Sequence, residues 1–109
     1  MGWIEDVYRE LERGKEADRS GDAGKARTSA RRAVGIALSE LQRHFPQRCY
    51  GQDFIRQVRS FAEDATLPPE VQSAALRLQA RISSDFTSPL LDPVRDAITI
   101  IEYLEDQLN

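Results

Sequence analysis

His44 is the single side chain of this sequence whose ordinary titration range spans neutral pH, and so the only ready general acid or base. It stands at the end of an apolar-periodic segment, where a cation meets the negative end of a helix dipole, and the expected role is a cap. Cys49 is the one cysteine and allows no intramolecular disulfide. Its neighbour Arg48 favours the thiolate, but no histidine stands at a spacing that thiol catalysis uses. One His and one Cys are too few soft ligands for a closed zinc site, so no metal and no other cofactor is expected. Asp64, Glu70 and Asp85 lie near predicted helix ends, where carboxylates serve as caps more often than as a paired acid and base. Trp3 and Tyr8 read as the end of a core, because the acidic segment around them would repel the bases that a stacking platform serves. No glycine-rich phosphate loop is present.

Whatever these residues do, one domain must position them. A chain of 109 residues has no room for a second independently folding unit. With 40% apolar and 30% charged residues and a mean hydropathy of −0.52, it is globular rather than disordered or fibrous. The net charge of −3 and the pI near 5.2 argue against overall attraction to nucleic acid and leave only a local basic patch open. The start, Met1-Gly2-Trp3-Ile4-Glu5-Asp6, is acidic where a secretion signal is basic, and Asp6 stands where a myristoylation signal has Ser or Thr. A cytoplasmic location is expected. No apolar run approaches the roughly 20 residues that cross a bilayer, so no membrane partner is expected.

Apolar spacing predicts five helices and no strand. Trp3, Ile4, Val7, Tyr8 and Leu11 mark a first helix over 3–19, followed by the turn Ser20-Gly21-Asp22, with Asp22 capping the next helix. The second runs from Ala23 to about His44, ahead of Pro46, and carries the stripe Ala26, Ala30, Ala33, Ala37 and Leu41 flanked by Val34 and Leu38. Small residues there admit close neighbours, so it is the candidate central helix. Gly35 lies off that stripe, and a mid-helix glycine costs about 1 kcal/mol against alanine. Phe54, Ile55, Val58, Phe61 and Ala62 predict a third helix over 52–64. Pro68-Pro69-Glu70 opens a fourth over 69–82, with Leu76 off its apolar face, and Asp92-Pro93 opens a fifth over 92–108. The expected architecture is a compact all-α bundle of four or five helices in up-and-down order.

Charge is segregated along this order. Residues 1–22 carry 4 basic and 7 acidic side chains, residues 23–50 carry 6 and 1, and residues 89–109 carry 1 and 5. If the basic second helix sits between the acidic first and last, its charge is answered inside the fold. Arg27 falls inside the apolar arc of that helix and Arg31 at its edge, so both are expected to be partly buried, each needing a carboxylate or carbonyl partner, with the first and fifth helices supplying the carboxylates. Lys25, Arg32 and Arg43 point away, together with the apolar Ile36. Arg32, Ile36 and Arg43 are therefore the candidate face for another subunit or protein.

The run from Gly24 to Leu38, with Ala26-Arg27-Thr28-Ser29-Ala30-Arg31-Arg32-Ala33 at its heart, is similar to the Ala-rich, Arg-containing helix of HEPN domains. Tyr50-Gly51-Gln52-Asp53 and Leu67-Pro68-Pro69-Glu70-Val71, each opening a helix, resemble that family as well, as does the closing acidic-apolar helix. The resemblance spans nearly the whole chain. It implies a four- to five-helix bundle, homodimers, and one of two roles: a metal-independent ribonuclease, or a non-catalytic partner of a small nucleotidyltransferase. Catalytic members carry an arginine and a histidine separated by four to six residues. There the arginine holds the scissile phosphate and the imidazole moves the proton of the attacking 2′-hydroxyl. Arg81-Ile82-Ser83-Ser84-Asp85-Phe86 supplies the arginine but has Phe86 at the nearest histidine position, and phenylalanine cannot exchange a proton. Arg95 has no histidine after it either.

The expected function is thus a non-catalytic interaction module resembling a HEPN domain, as a homodimer or with a nucleotidyltransferase. Two alternatives remain. One is a divergent ribonuclease that uses Arg81 with another proton acceptor. The other is a nucleotide- or phosphate-binding module in which Arg27, Arg31 and Arg81 converge on a phosphate.

Overall fold

The computed structural model describes residues 2–48, 50–80 and 92–108. Its helices are α1 (Gly2–Arg19), α2 (Ala23–His44), α3 (Phe54–Ala62), α4 (Pro69–Gln79) and α5 (Pro93–Leu108), and no strand occurs among the described residues. Consecutive helices pack on one another, and α5 returns against α2 to close the all-α bundle. None of these helices is long and apolar enough to cross a membrane.

Local chemistry sets the boundaries. Gly21 adopts φ +83°, which lets the Asp22 amide bond the Ala17 carbonyl at 2.8 Å and the Gly21 amide bond the Asp18 carbonyl at 3.1 Å. This paired closure of a helix end needs a left-handed residue, which glycine supplies without strain. The Asp22 carboxylate then accepts the Lys25 amide at 3.0 Å and starts α2, so one short turn ends one helix and begins the next. Asp92 does the same for α5, accepting the Arg95 amide at 3.0 Å ahead of Pro93. The third helix is shorter at both ends than its apolar spacing predicts. Asp53 caps it by accepting the Arg56 amide at 2.9 Å, so residues 52 and 53 lie outside it, and Glu63 closes its other end, its amide donating to the Ser60 carbonyl at 3.1 Å. The fourth stops at Gln79 because Ala80 is extended, at ψ 142°. The predicted continuation thus fails at Ala80, and residues 81 and 82 lie outside the described residues.

At the centre, Ala26, Ala30, Ala33, Ala37 and Leu41 of α2 are wholly buried, and α2 touches all four other helices. Val7, Leu11, Phe61, Leu78, Ile100 and Leu104 fill the space that its alanines leave. The close approach is sharpest at two glycines. A β-carbon at Gly14 of α1 would come within 2.9 Å of Val94 in α5 and 3.4 Å of the Ala26 carbonyl. A β-carbon at Gly35 would overlap Phe54, the first residue of α3, which gives the reason for a glycine that the periodicity leaves unexplained.

The distribution of charge departs from expectation. Basic α2 does lie against α1 and α5, but among the described residues no ion pair joins it to either. Four of the six acids of α1 pair with its own bases three residues away: Asp6 with Arg9, Glu10 with Arg13, Glu12 with Lys15 and Glu16 with Arg19. Such pairs engage these four within their own helix, each contributing roughly 0.3–0.5 kcal/mol, and Glu5 and Asp18 form no ion pair with α2 among the described residues. The apolar sets also need correction at their edges. Tyr8, predicted at the end of the core with Trp3, is 52% exposed, whereas Trp3 packs on the core as expected. Ile4, Phe54 and Ile55 are likewise exposed.

Candidate functional site

Two places on α2 gather the residues that the sequence singles out. The first is its inner turn. Arg27 is only 8% exposed, and its Nε is completely buried without a hydrogen-bond partner. One turn further on, Arg31 donates from Nε to the Leu78 carbonyl at 2.8 Å and from Nη2 to the Ala80 carbonyl at 3.1 Å. The Leu78 carbonyl belongs to the last turn of α4, which leaves it without a helical partner at the negative end of the dipole, and Ala80 is the residue that caps that end. The predicted burial of both arginines is correct, but the carboxylates expected from α1 or α5 are absent among the described residues. Backbone oxygens satisfy Arg31, and nothing described satisfies Arg27. Burial pulls both guanidinium pKa values down, and the charge of Arg27 lowers that of Arg31 further. Arg81, the third member of the predicted phosphate-binding set, lies outside the described residues, as do Cys49 and Asp85.

The second place is a groove of about 400 Å³ where α1, α2 and the start of α3 meet. Ile36 and Arg32 from α2 line it together with Glu10, Phe54 and Gln57. The Arg32 guanidinium stands 5.8 Å from the centre of the Phe54 ring, within reach of a cation–π attraction. Gln57 is fixed beneath by donating to the Ser39 hydroxyl at 2.9 Å and to the Gly51 carbonyl at 3.3 Å. Glu10 gives one oxygen to Arg13 at 3.1 Å, while its Oε1 is fully buried and unpartnered. Arg32 and Ile36 are thus brought together as predicted. Arg43 is not in the groove: it is held by Glu40 at 2.6 Å near the far end of α2. Ile36 is half-buried against the core rather than standing alone.

The other chemically capable residues are engaged in the fold. His44 shares Glu40 with Arg43, its Nε2 2.9 Å from the carboxylate, in the last turn of α2. Its position is seventeen residues beyond Arg27, roughly 25 Å at about 1.5 Å per residue. Asp64 accepts the Thr66 hydroxyl and amide and the Tyr50 hydroxyl, so it organises a turn instead of meeting Glu70 as an acid–base pair. Tyr50 stands edge-on to Phe61, with ring centres 5.3 Å apart, and its amide donates to Gln42 at 2.6 Å. An ion pair that the spacing gave no hint of joins α4 to α5, where Arg77 grips nearly buried Asp96 at 2.9 Å. Among the described residues no three His, Cys, Asp or Glu side chains converge as a metal ion would require.

Comparison of the chain with protein-family models, curated proteins and solved structures finds no match. The HEPN resemblance therefore rests on the residues quoted for it.

Proposed function

We propose that this chain works by association rather than by chemistry, as a helical interaction module whose working surface is the groove between α1, α2 and α3. The observation that carries the reading is the pairing of Arg32 with Phe54 beside Ile36 over that groove. Arginine and aromatic side chains around an apolar centre are the composition of binding hot spots. The partners follow from the resemblance: a second copy of the chain, or a small nucleotidyltransferase. The non-catalytic part of the reading draws on His44, which is engaged with Glu40 at the opposite end of α2 from the arginine pair.

Light scattering on the purified chain, and co-purification from its native host, test the proposal. A dimer or a stoichiometric complex is expected, lost in Ile36→Arg while the thermal unfolding midpoint is kept. Association that survives Ile36→Arg removes the groove from the reading. Metal-independent cleavage of RNA by the pure protein, abolished by Arg81→Ala, would replace the reading with the ribonuclease.

A further inference from the structure

We propose that Arg27 and Arg31 form an oxyanion site that takes a phosphate group, on a different face of α2 from the interaction groove. Arg27 is more than nine-tenths buried, its Nε has no acceptor, and no carboxylate among the described residues lies within ion-pair distance of it. A buried guanidinium left without a counter-charge is among the most destabilising arrangements a fold can hold, so an anion from outside the described residues is called for. None of the neighbouring acids answers it: Asp6, Glu10, Glu12 and Glu16 of α1 pair with bases of their own helix, Asp96 pairs with Arg77, and neither Glu5 nor Asp18 forms an ion pair with Arg27 among the described residues.

Arg31 is built to assist. The two side chains are one turn apart, about 5–6 Å between β-carbons. Two N–H groups of Arg31 are spent on the Leu78 and Ala80 carbonyls, which fixes its plane, and a guanidinium carries five N–H groups in all. The remaining donors, with those of Arg27, suit a group that presents several oxygens and more than one negative charge. Phosphate meets that requirement better than a single carboxylate.

The test compares thermal unfolding in inorganic phosphate and in chloride at matched ionic strength, for the full chain and for Arg27→Met and Arg43→Gln. The wild-type midpoint should climb with phosphate and level off as the site fills. Arg27→Met should show only the gain that phosphate gives any protein by exclusion from its surface. Arg43→Gln, at the other end of α2, should behave as wild type. Equal phosphate responses in wild type and Arg27→Met would overturn the proposal. Should Arg27→Met not fold, the wild-type Arg27 Nε–H resonance provides the second reading. It should move on phosphate titration while that of Arg32 stays, and an unmoved Arg27 signal overturns the site equally.

Discussion

Gly35 in α2 and Phe54 in α3 meet so closely that no methyl group fits between them. The added β-carbon of Gly35→Ala would overlap Phe54 Cβ and come within 3.2 Å of Phe54 Cα, atoms that cannot swing aside, and within 3.0 Å of Gln57 Oε1, whose amide is held by its Nε2 bonds to Ser39 and Gly51. Alanine brings a helix-propensity gain of about 1 kcal/mol, against an overpacking cost of about 1–3 kcal/mol. Because backbone must move here, the cost is expected to win. Urea unfolding should give a lower midpoint for Gly35→Ala than for wild type, and the Arg32–Phe54 pair should be displaced with α3.

Arg31 closes the end of α4 with two hydrogen bonds to carbonyls. Arg31→Met keeps the length of the side chain but removes both donors, and should cost about 1.5–3 kcal/mol in chemical unfolding, the range for hydrogen bonds made by a charged group. Arg31→Lys should recover only part of this, since one ammonium cannot reproduce a planar fork on two oxygens.

The Arg77–Asp96 pair is lopsided: Asp96 is nearly buried while the Arg77 side chain is 49% exposed. Removing the exposed partner strands a buried charge, whereas removing the buried one releases a cation to water. Arg77→Met is therefore predicted to destabilise by about 2 kcal/mol and Asp96→Asn by less, measured by urea unfolding at neutral pH. Equal losses would contradict the asymmetry.

Stability should fall at both pH extremes around Tyr50 and Asp64. Hydrogen bonds from Thr66, joined by that from Tyr50, hold the Asp64 carboxyl below its ordinary value. Its contribution is present above about pH 3.9, the unfolded value, and is lost as pH drops through the lower folded one. Burial, aided by Asp64, raises the Tyr50 phenol above its ordinary value. That contribution is intact below about pH 10 and disappears as pH climbs through the higher folded value. Thr66→Val should flatten the acid limb of a stability–pH curve, and Tyr50→Phe the alkaline one.

The core was readable in the sequence because burial on a helix has a period: the α2 stripe from Ala26 to Leu41 is wholly buried as its spacing requires. The burial of Arg27 and Arg31 followed from the same wheel. Their partners did not, because a guanidinium is satisfied by carbonyls at a helix end as readily as by carboxylates, and a residue count displays only the latter. Arg77 and Asp96 stand 19 residues apart on separate helices, and only the folded packing of α4 on α5 brings them together. Gly35 was opaque for a similar reason, since its purpose lies in the backbone of another helix.

Arg31 reaches across 47 residues of sequence to the final turn of α4. Ends of helices ordinarily fray independently, exchanging their amide hydrogens with solvent ahead of the interior. Here the terminal turn of a late helix is tethered to the middle of an early one. Its amides should exchange in step with those of α2, making the two segments a single cooperative unit when the molecule opens.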